Sequence, residues 1–172
     1  GTAYAAYQAE EFSPGMTLLM LVAVLAVDMG TTAFNSYFDA RHGVDSRRYN
    51  RETDKIVVHT GLSPGFALLV GLGCFAVAVF FGFVIILLVG TEVLIVGVLS
   101  MAVGFLYNGG PVPISRTPLG EFFAGGFLGG LLFVLSYSVQ SQTLTPEVLW
   151  AGLPPFLAVS SILAVNNTCD RE

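Results

Sequence analysis

The sequence predicts an all-α fold, a polytopic bundle of transmembrane helices, and three observations carry that reading. Of its 172 residues 54% are hydrophobic and only 11% charged, against about 25% charged in an average protein. The mean hydropathy is +0.76, and five stretches are long and apolar enough to be read as membrane spans. All seven Lys and Arg residues then fall on one side of the bilayer once the spans are made to alternate.

Crossing the hydrocarbon core takes about 20 mostly apolar residues at a rise of about 1.5 Å each. Residues 1–8 read as the tail of an earlier helix. The first span covers residues 16–38 and is opened by Ser13-Pro14, a helix-start pair. The second covers 64–89, again opened by Ser-Pro, and ends at the Gly90-Thr91 break. The third, 92–106, is short and is expected to tilt or to begin earlier. The fourth covers 118–139, with small residues Gly125, Gly126, Gly129 and Gly130 that let helices approach closely in lipid. The fifth covers 146–165, and Pro154-Pro155 inside it should kink it. The chain opens without Met and stops at Glu172 just after a polar cluster. It is therefore read as a single transmembrane domain, residues 1–172, truncated at both ends.

Alternation places loop 39–62, loop 107–117 and the tail from Asn166 on one side, and loops 90–92 and 140–147 on the other with Glu10 and Glu11. Arg41, Arg47, Arg48, Arg51, Lys55, Arg116 and Arg171 all belong to the first side. The positive-inside rule makes that side cytoplasmic, in a multi-pass protein of the cell membrane. A nucleic-acid partner is excluded, because there is no basic face and the aromatics lie inside apolar runs. Cys74 and Cys169 make no disulfide framework. Cys74 is read as a small apolar packer and Cys169 as an incidental thiol.

Three polar clusters gather on the cytoplasmic side. In the first, Asn35 and Asp39 are four residues apart and share a helix face, and Gly43 allows a turn that brings Asp45 back towards Asp39. In the last, Asn166, Asn167 and Asp170 are placed in the same way at a helix end. Two such groups facing each other make an oxygen-rich site of the kind Mg²⁺ takes, with carboxylates, waters and substrate phosphates as ligands. Arg47, Arg48, Arg51, Lys55 and Arg116 are placed to hold the remaining phosphate charge. The middle cluster, from Tyr107 to Arg116, is by itself a stiff Pro- and Gly-rich loop. His42 and His59 lack metal-ligand spacing and are read as solvent-facing. Glu121 either caps the fourth helix or pairs with Arg116.

Asp28 lies near the middle of the first span, where a carboxylate costs about 2.5–3.5 kcal/mol by insertion scales. It must face the bundle interior. With Thr31 or Thr32, Asn35 and Asp39 it forms a polar stripe running from the first cluster into the membrane. That stripe is either the wall of a substrate cavity or a row in which Asp28 is protonated or hydrogen-bonded for packing. The residues leave both readings open.

Together, Asn35-xxx-Asp39 with Gly43-Val44-Asp45, Tyr107-Asn-Gly-Gly-Pro with Leu119-Gly120-Glu121, and Asn166-Asn167-xx-Asp170 resemble the UbiA superfamily of intramembrane prenyltransferases. Within it they look most like the 1,4-dihydroxy-2-naphthoate polyprenyltransferases of menaquinone synthesis. The resemblance covers essentially the whole chain. It implies a nine-helix fold, of which this chain would supply helices two to six and the end of helix one. It also implies that Asp39, Asp45 and Asp170 are catalytic and hold Mg²⁺ against the diphosphate of a polyprenyl donor, with Asn35 in support. Arg47, Arg48, Lys55, Tyr107, Arg116, Asn166, Asn167 and Asp28 would then bind the polyprenyl diphosphate and an aromatic, naphthoate-type acceptor. The chain departs from the family pattern in having Ser36 where an acid is frequent and Cys169 where a basic residue is usual. A last Asp would lie beyond Glu172, so the fragment alone is expected to be inactive. The alternatives are another acceptor (4-hydroxybenzoate, haem or a chlorophyll precursor) and a cation-coupled membrane transporter subunit.

Overall fold

The computed structural model describes residues 1–8, 12–42, 63–109 and 112–169, with the backbone alone for 42, 92, 108, 116 and 166–169. Among them every regular element is helical. Helix α1 is Thr2–Gln8, α2 Pro14–His42, α3 Pro64–Val89 and α4 Glu92–Asn108. A single 3₁₀ turn, Ile114–Arg116, precedes α5, Gly120–Ser141. The last stretch is two helices, α6 Pro146–Ala151 and α7 Leu153–Cys169.

Four continuous stretches reach spanning length and apolarity: Pro14–Arg41, Pro64–Val89, Gly120–Ser141 and Pro146–Val165. The third of the five expected spans is shorter. Helix α4 has 17 residues, about 25 Å at the helical rise, against hydrocarbon about 30 Å thick. It does not begin earlier, because Gly90 at φ 122° ends α3 and Thr91 is a turn. The protein is a multi-pass integral membrane protein, and its outward faces suit lipid. Leu69 and Leu87 on α3 are 68% and 69% exposed. Tyr7 and Trp150, both exposed, lie near the helix ends opposite Asp39, where aromatic side chains anchor spans at the interface.

Local signals explain the helix ends. Ser63 caps α3, its Oγ accepting a hydrogen bond from the Phe66 amide at 3.3 Å, and Pro64 occupies the first turn, where no N–H is needed. Nothing interrupts α2 before Gly43, so it continues four residues past the apolar stretch and carries Asp39 on a helix. His42 is therefore the last residue of α2 and not part of a loop. The fifth stretch breaks at Gly152, just before Pro154-Pro155, as the prolines require.

Packing gathers the helix ends into two groups. At one end Met20 of α2, Ile85 of α3 and Val139 of α5 form a buried cluster, joined by Val89 and Val93 from either side of the α3–α4 turn. Gln140, expected in a loop, is instead buried inside α5 at that end. Its Oε1 accepts from the Ser13 amide at 2.9 Å, and its Nε2 donates to the Ser13 carbonyl at 3.2 Å and to Thr17 Oγ1 at 2.8 Å. The end of α5 is thereby tied to the start of α2. At the other end Phe34 is buried edge-on between Phe75, 4.9 Å away, and Phe105, 5.3 Å away. Gly71 makes this approach possible: a Cβ there would sit 2.7 Å from the Phe34 ring.

The glycine run of α5 winds as a π-helix over Gly125–Leu131. Gly125 and Gly129 press directly on Ser160 and on the Pro155–Phe156 backbone of α7, where any side chain would collide. This is the close helix approach expected of small residues in lipid. The wider turn itself is not visible in the sequence.

Candidate functional site

Helices α2, α3, α4 and α5, with Leu163 of α7, enclose a cavity of about 460 Å³. One end of it is the Met20–Ile85–Val139 cluster, and the other is at the level of Asn35 and Tyr107. Along α2 that is a run of about 22 Å at the helical rise. The wall is apolar over its first half and turns polar at Asp28, followed by Thr31, Thr32 and Asn35. These residues are three or four apart and so occupy one face of α2. Opposite them α4 contributes Ser100 and Tyr107.

The stripe read from the sequence is thus a continuous strip of cavity wall, with both threonines in it. Asp28 stays accessible on that wall. Thr31 is held close to α4, since a Cβ on Gly104 would lie 2.9 Å from its Oγ1. Asp39, one turn beyond Asn35 at the end of α2, is half-buried and does not itself line the cavity.

The first and middle polar clusters adjoin. Phe38 packs on Phe105 with ring centroids 5.7 Å apart, and a Cβ on Gly109 would lie 2.8 Å from the Phe38 ring. The turn between α4 and α5 is therefore fixed beside the end of α2 that carries Asp39. Thr117 stiffens that turn, its Oγ1 donating to the Ile114 carbonyl at 2.8 Å and accepting from the Leu119 amide at 3.3 Å. Glu121 stands in the first turn of α5, where a carboxylate suits the positive end of the helix dipole. Helix α7 is tied to the same place by Ser160 Oγ, which donates to the Glu121 carbonyl at 3.1 Å. From there α7 runs on to Cys169.

Arg41 turns back on its own helix, its Nη1 donating to the Tyr37 hydroxyl at 2.6 Å with the guanidinium 6.0 Å from the ring centroid. Asp45, Arg47, Arg48, Arg51, Lys55, His59 and Asp170 lie outside the described residues. For Arg116, Asn166 and Asn167 the backbone alone is described. Among the described residues no group of three His, Cys, Asp or Glu is placed to hold a metal ion. The donors present at the end of α2, the Asp39 carboxylate and the Asn35 amide, are hard oxygen groups of the type Mg²⁺ takes.

Sequence reasoning missed Ser100, although it is the one polar residue between Glu92 and Tyr107 and so carried a signal. It also missed Phe127 and Leu131, which the π turn brings to the cavity wall.

The family model of the UbiA prenyltransferases matches residues 1–172. The chain belongs to the UbiA prenyltransferase family. Among its relatives, the 1,4-dihydroxy-2-naphthoate octaprenyltransferase of Bacillus subtilis (strain 168) is 31% identical over 155 residues, 90% of this chain and 50% of that protein. The enzyme of the same name from Mycobacterium tuberculosis is 27% identical over 157 residues, 89% of this chain and 52% of its own length. Human UbiA prenyltransferase domain-containing protein 1 is 29% identical over 161 residues, 92% of this chain and 47% of that protein. The chain spans about half the length of the curated relatives it matches. No solved structure gives a significant match.

Proposed function

We propose that this chain carries part of the site of a Mg²⁺-dependent prenyltransferase. The enzyme moves a polyprenyl group from its diphosphate to 1,4-dihydroxy-2-naphthoate, with loss of CO₂, in menaquinone synthesis. The observation that carries the proposal is the cavity of a UbiA-family chain, polar between Asp28 and Asn35, apolar beyond, and bordered by Asp39 at its polar end. The naphthoate acceptor is favoured by the names of the Bacillus and Mycobacterium relatives and by the Tyr107-Asn-Gly-Gly-Pro and Asn166-Asn167 motifs.

In this account Asp39, Asp45 and Asp170 hold Mg²⁺, with Asn35 in support. Held there, Mg²⁺ would supply positive charge to offset that of the departing diphosphate. Arg47, Arg48, Lys55 and Arg116 bind phosphate oxygens that remain, and Tyr107, Asn166 and Asn167 orient the substrates with hydroxyl and amide hydrogen bonds. The allylic C–O bond breaks with its electron pair going to the diphosphate. The ring carbon bearing the carboxylate then attacks the allylic cation, and CO₂ departs, leaving its bonding pair to restore the aromatic ring. The apolar walls keep water from the cation. The positively charged side, and with it the site, faces the cytoplasm of the cell membrane.

The test is expression of the complete gene in membranes, supplied with radiolabelled polyprenyl diphosphate and either 1,4-dihydroxy-2-naphthoate or 4-hydroxybenzoate, with Mg²⁺ or excess EDTA. A prenylated naphthoate-derived product that needs Mg²⁺ is the expected result. Product from 4-hydroxybenzoate alone would discard the acceptor assignment and keep prenyl transfer.

A further inference from the structure

Asp28 is a charged residue type built into an otherwise neutral cavity wall. It is the fifteenth of the 29 residues of α2 and the one ionisable acid or base of types Asp, Glu, Lys, Arg or His among the described residues lining the cavity. It has no hydrogen-bond or ion-pair partner among the described residues. On one side of it the wall is made of Val24, Val27 and Met20; on the other stand Thr31, Thr32 and Asn35. Asp28 therefore marks the floor of the polar half of the cavity.

We infer that Asp28 sets which way round the aromatic acceptor sits, by accepting a hydrogen bond from the ring hydroxyl remote from the acceptor's carboxylate. This inference rests on the naphthoate reading above and adds a specificity-determining contact to it. Asn35 and Asp28 are seven residues apart, about 10 Å along the helix. The 2-carboxylate and the 4-hydroxyl of the acceptor stand across one ring from each other, and with a hydrogen bond of about 2.8 Å at each the pair spans such a gap.

Donor and acceptor chemistry then decides the orientation. The side-chain oxygens of Asp28 can accept a hydrogen bond from a hydroxyl, whereas a carboxylate has no proton to donate to them. At the opposite end of the gap, beyond Asn35, α2 carries both Asp39 and Arg41. The acceptor's carboxylate has no proton to give Asp28, so a free ring hydroxyl is the group that takes that place. In 1,4-dihydroxy-2-naphthoate the 1-hydroxyl is adjacent to the carboxylate and bonds to it internally. The 4-hydroxyl remains free for Asp28. Bound in this way, the ring presents its carboxylate-bearing carbon to the polar mouth, where the allylic diphosphate is held.

The test is a cycle between protein and acceptor in the complete enzyme in membranes. Wild type, Asp28→Asn and Asp28→Leu are each assayed with 1,4-dihydroxy-2-naphthoate and with its 4-methyl ether, which cannot donate from that oxygen. Wild type should prefer the dihydroxy acceptor, and Asp28→Leu should lose between about tenfold and a hundredfold of that preference, the range for a hydrogen bond to a charged group. Asp28→Asn, which keeps an accepting oxygen without the charge, should lose less. The loss should appear in the acceptor's kcat/KM, with the KM for polyprenyl diphosphate unchanged. Equal losses on both acceptors, or a raised KM for the diphosphate, would overturn the orienting role and leave Asp28 a packing residue. Turnover of the methyl ether by the variants shows that they are folded. Wild-type protein inert with both acceptors would overturn the naphthoate reading itself, and this inference with it.

Discussion

Replacing Gln140 with Leu should destabilise the protein by about 2 kcal/mol, and the structure fixes where that cost arises. The side chain is 6% exposed and makes three hydrogen bonds to residues more than 120 positions away. Hydrogen bonds between membrane helices average about 0.6 kcal/mol and reach about 1.7 kcal/mol, so three give a range centred near 2 kcal/mol. The losses are unequal. The Thr17 hydroxyl already donates to the Ser13 carbonyl at 3.0 Å, so it keeps a partner when Gln140 is gone. The Ser13 amide, at the start of α2, loses its Gln140 acceptor and carries most of the cost. The assay is SDS-driven unfolding of the purified complete protein in mixed micelles, followed by far-UV circular dichroism. Thr17→Val should cost less than half as much as Gln140→Leu, and the double variant should cost less than the sum, because Gln140 and Thr17 share a bond. A Gln140→Leu variant within 0.5 kcal/mol of wild type, by this rough criterion for a neutral change, would refute the clamp and with it the pairing of the α2 and α5 ends.

Gly129→Val should be strongly destabilising, by more than about 2 kcal/mol, because its side chain would run into the fixed backbone of Pro155 and Phe156. Gly73→Ala, where a Cβ meets nothing within 4 Å, should be neutral or stabilise by up to about 1 kcal/mol; the same unfolding assay compares the two. Asp39→Ala and Asp170→Ala should each remove more than about 99% of prenyl transfer at unchanged membrane abundance, the loss expected when a group stabilising developing charge is deleted. Near-wild-type rates in both would end the metal assignment. In a cysteine-free background, Leu144→Cys should react with an impermeant maleimide added outside intact cells, and Thr117→Cys only after permeabilisation. The reverse pattern would invert the orientation.

The fold was legible wherever a local signal and the solvent argument pointed the same way. Helix α3 begins and ends where Ser63-Pro64 and Gly90 say it must, since capping, proline geometry and apolarity all act within a few residues. The break near Pro154-Pro155 was readable for the same reason. Gln140 was not. As a polar residue after an apolar run it reads as a loop, and only its partners on a helix 127 residues distant make it a buried part of α5. The π turn of Gly125–Leu131 was equally invisible, because its cause is the contact with α7.

The site divides along the same line. Asp28, Thr31, Thr32 and Asn35 could be grouped in advance, since helical spacing alone puts them on one face and the cost of a mid-membrane carboxylate turns that face inward. Ser100 and Phe127 reach the same cavity from helices whose rotation is set by tertiary contacts; Ser100 is marked in its segment as the one polar residue, and Phe127 carries no such mark. Asp39 was placed on the same stripe, but lies one turn beyond the last lining residue, at the polar end of the cavity and not on its wall.

We propose that the complete protein prenylates 1,4-dihydroxy-2-naphthoate at the carbon that carries the carboxylate. Membranes containing the complete protein, given polyprenyl diphosphate and acceptor labelled with ¹⁴C in that carboxylate, test it directly. ¹⁴CO₂ should be released one-for-one with prenylated naphthoquinol, dependent on Mg²⁺ and abolished by Asp39→Ala. Prenylated product that retains the label, or labelled CO₂ without prenylated product, would contradict it.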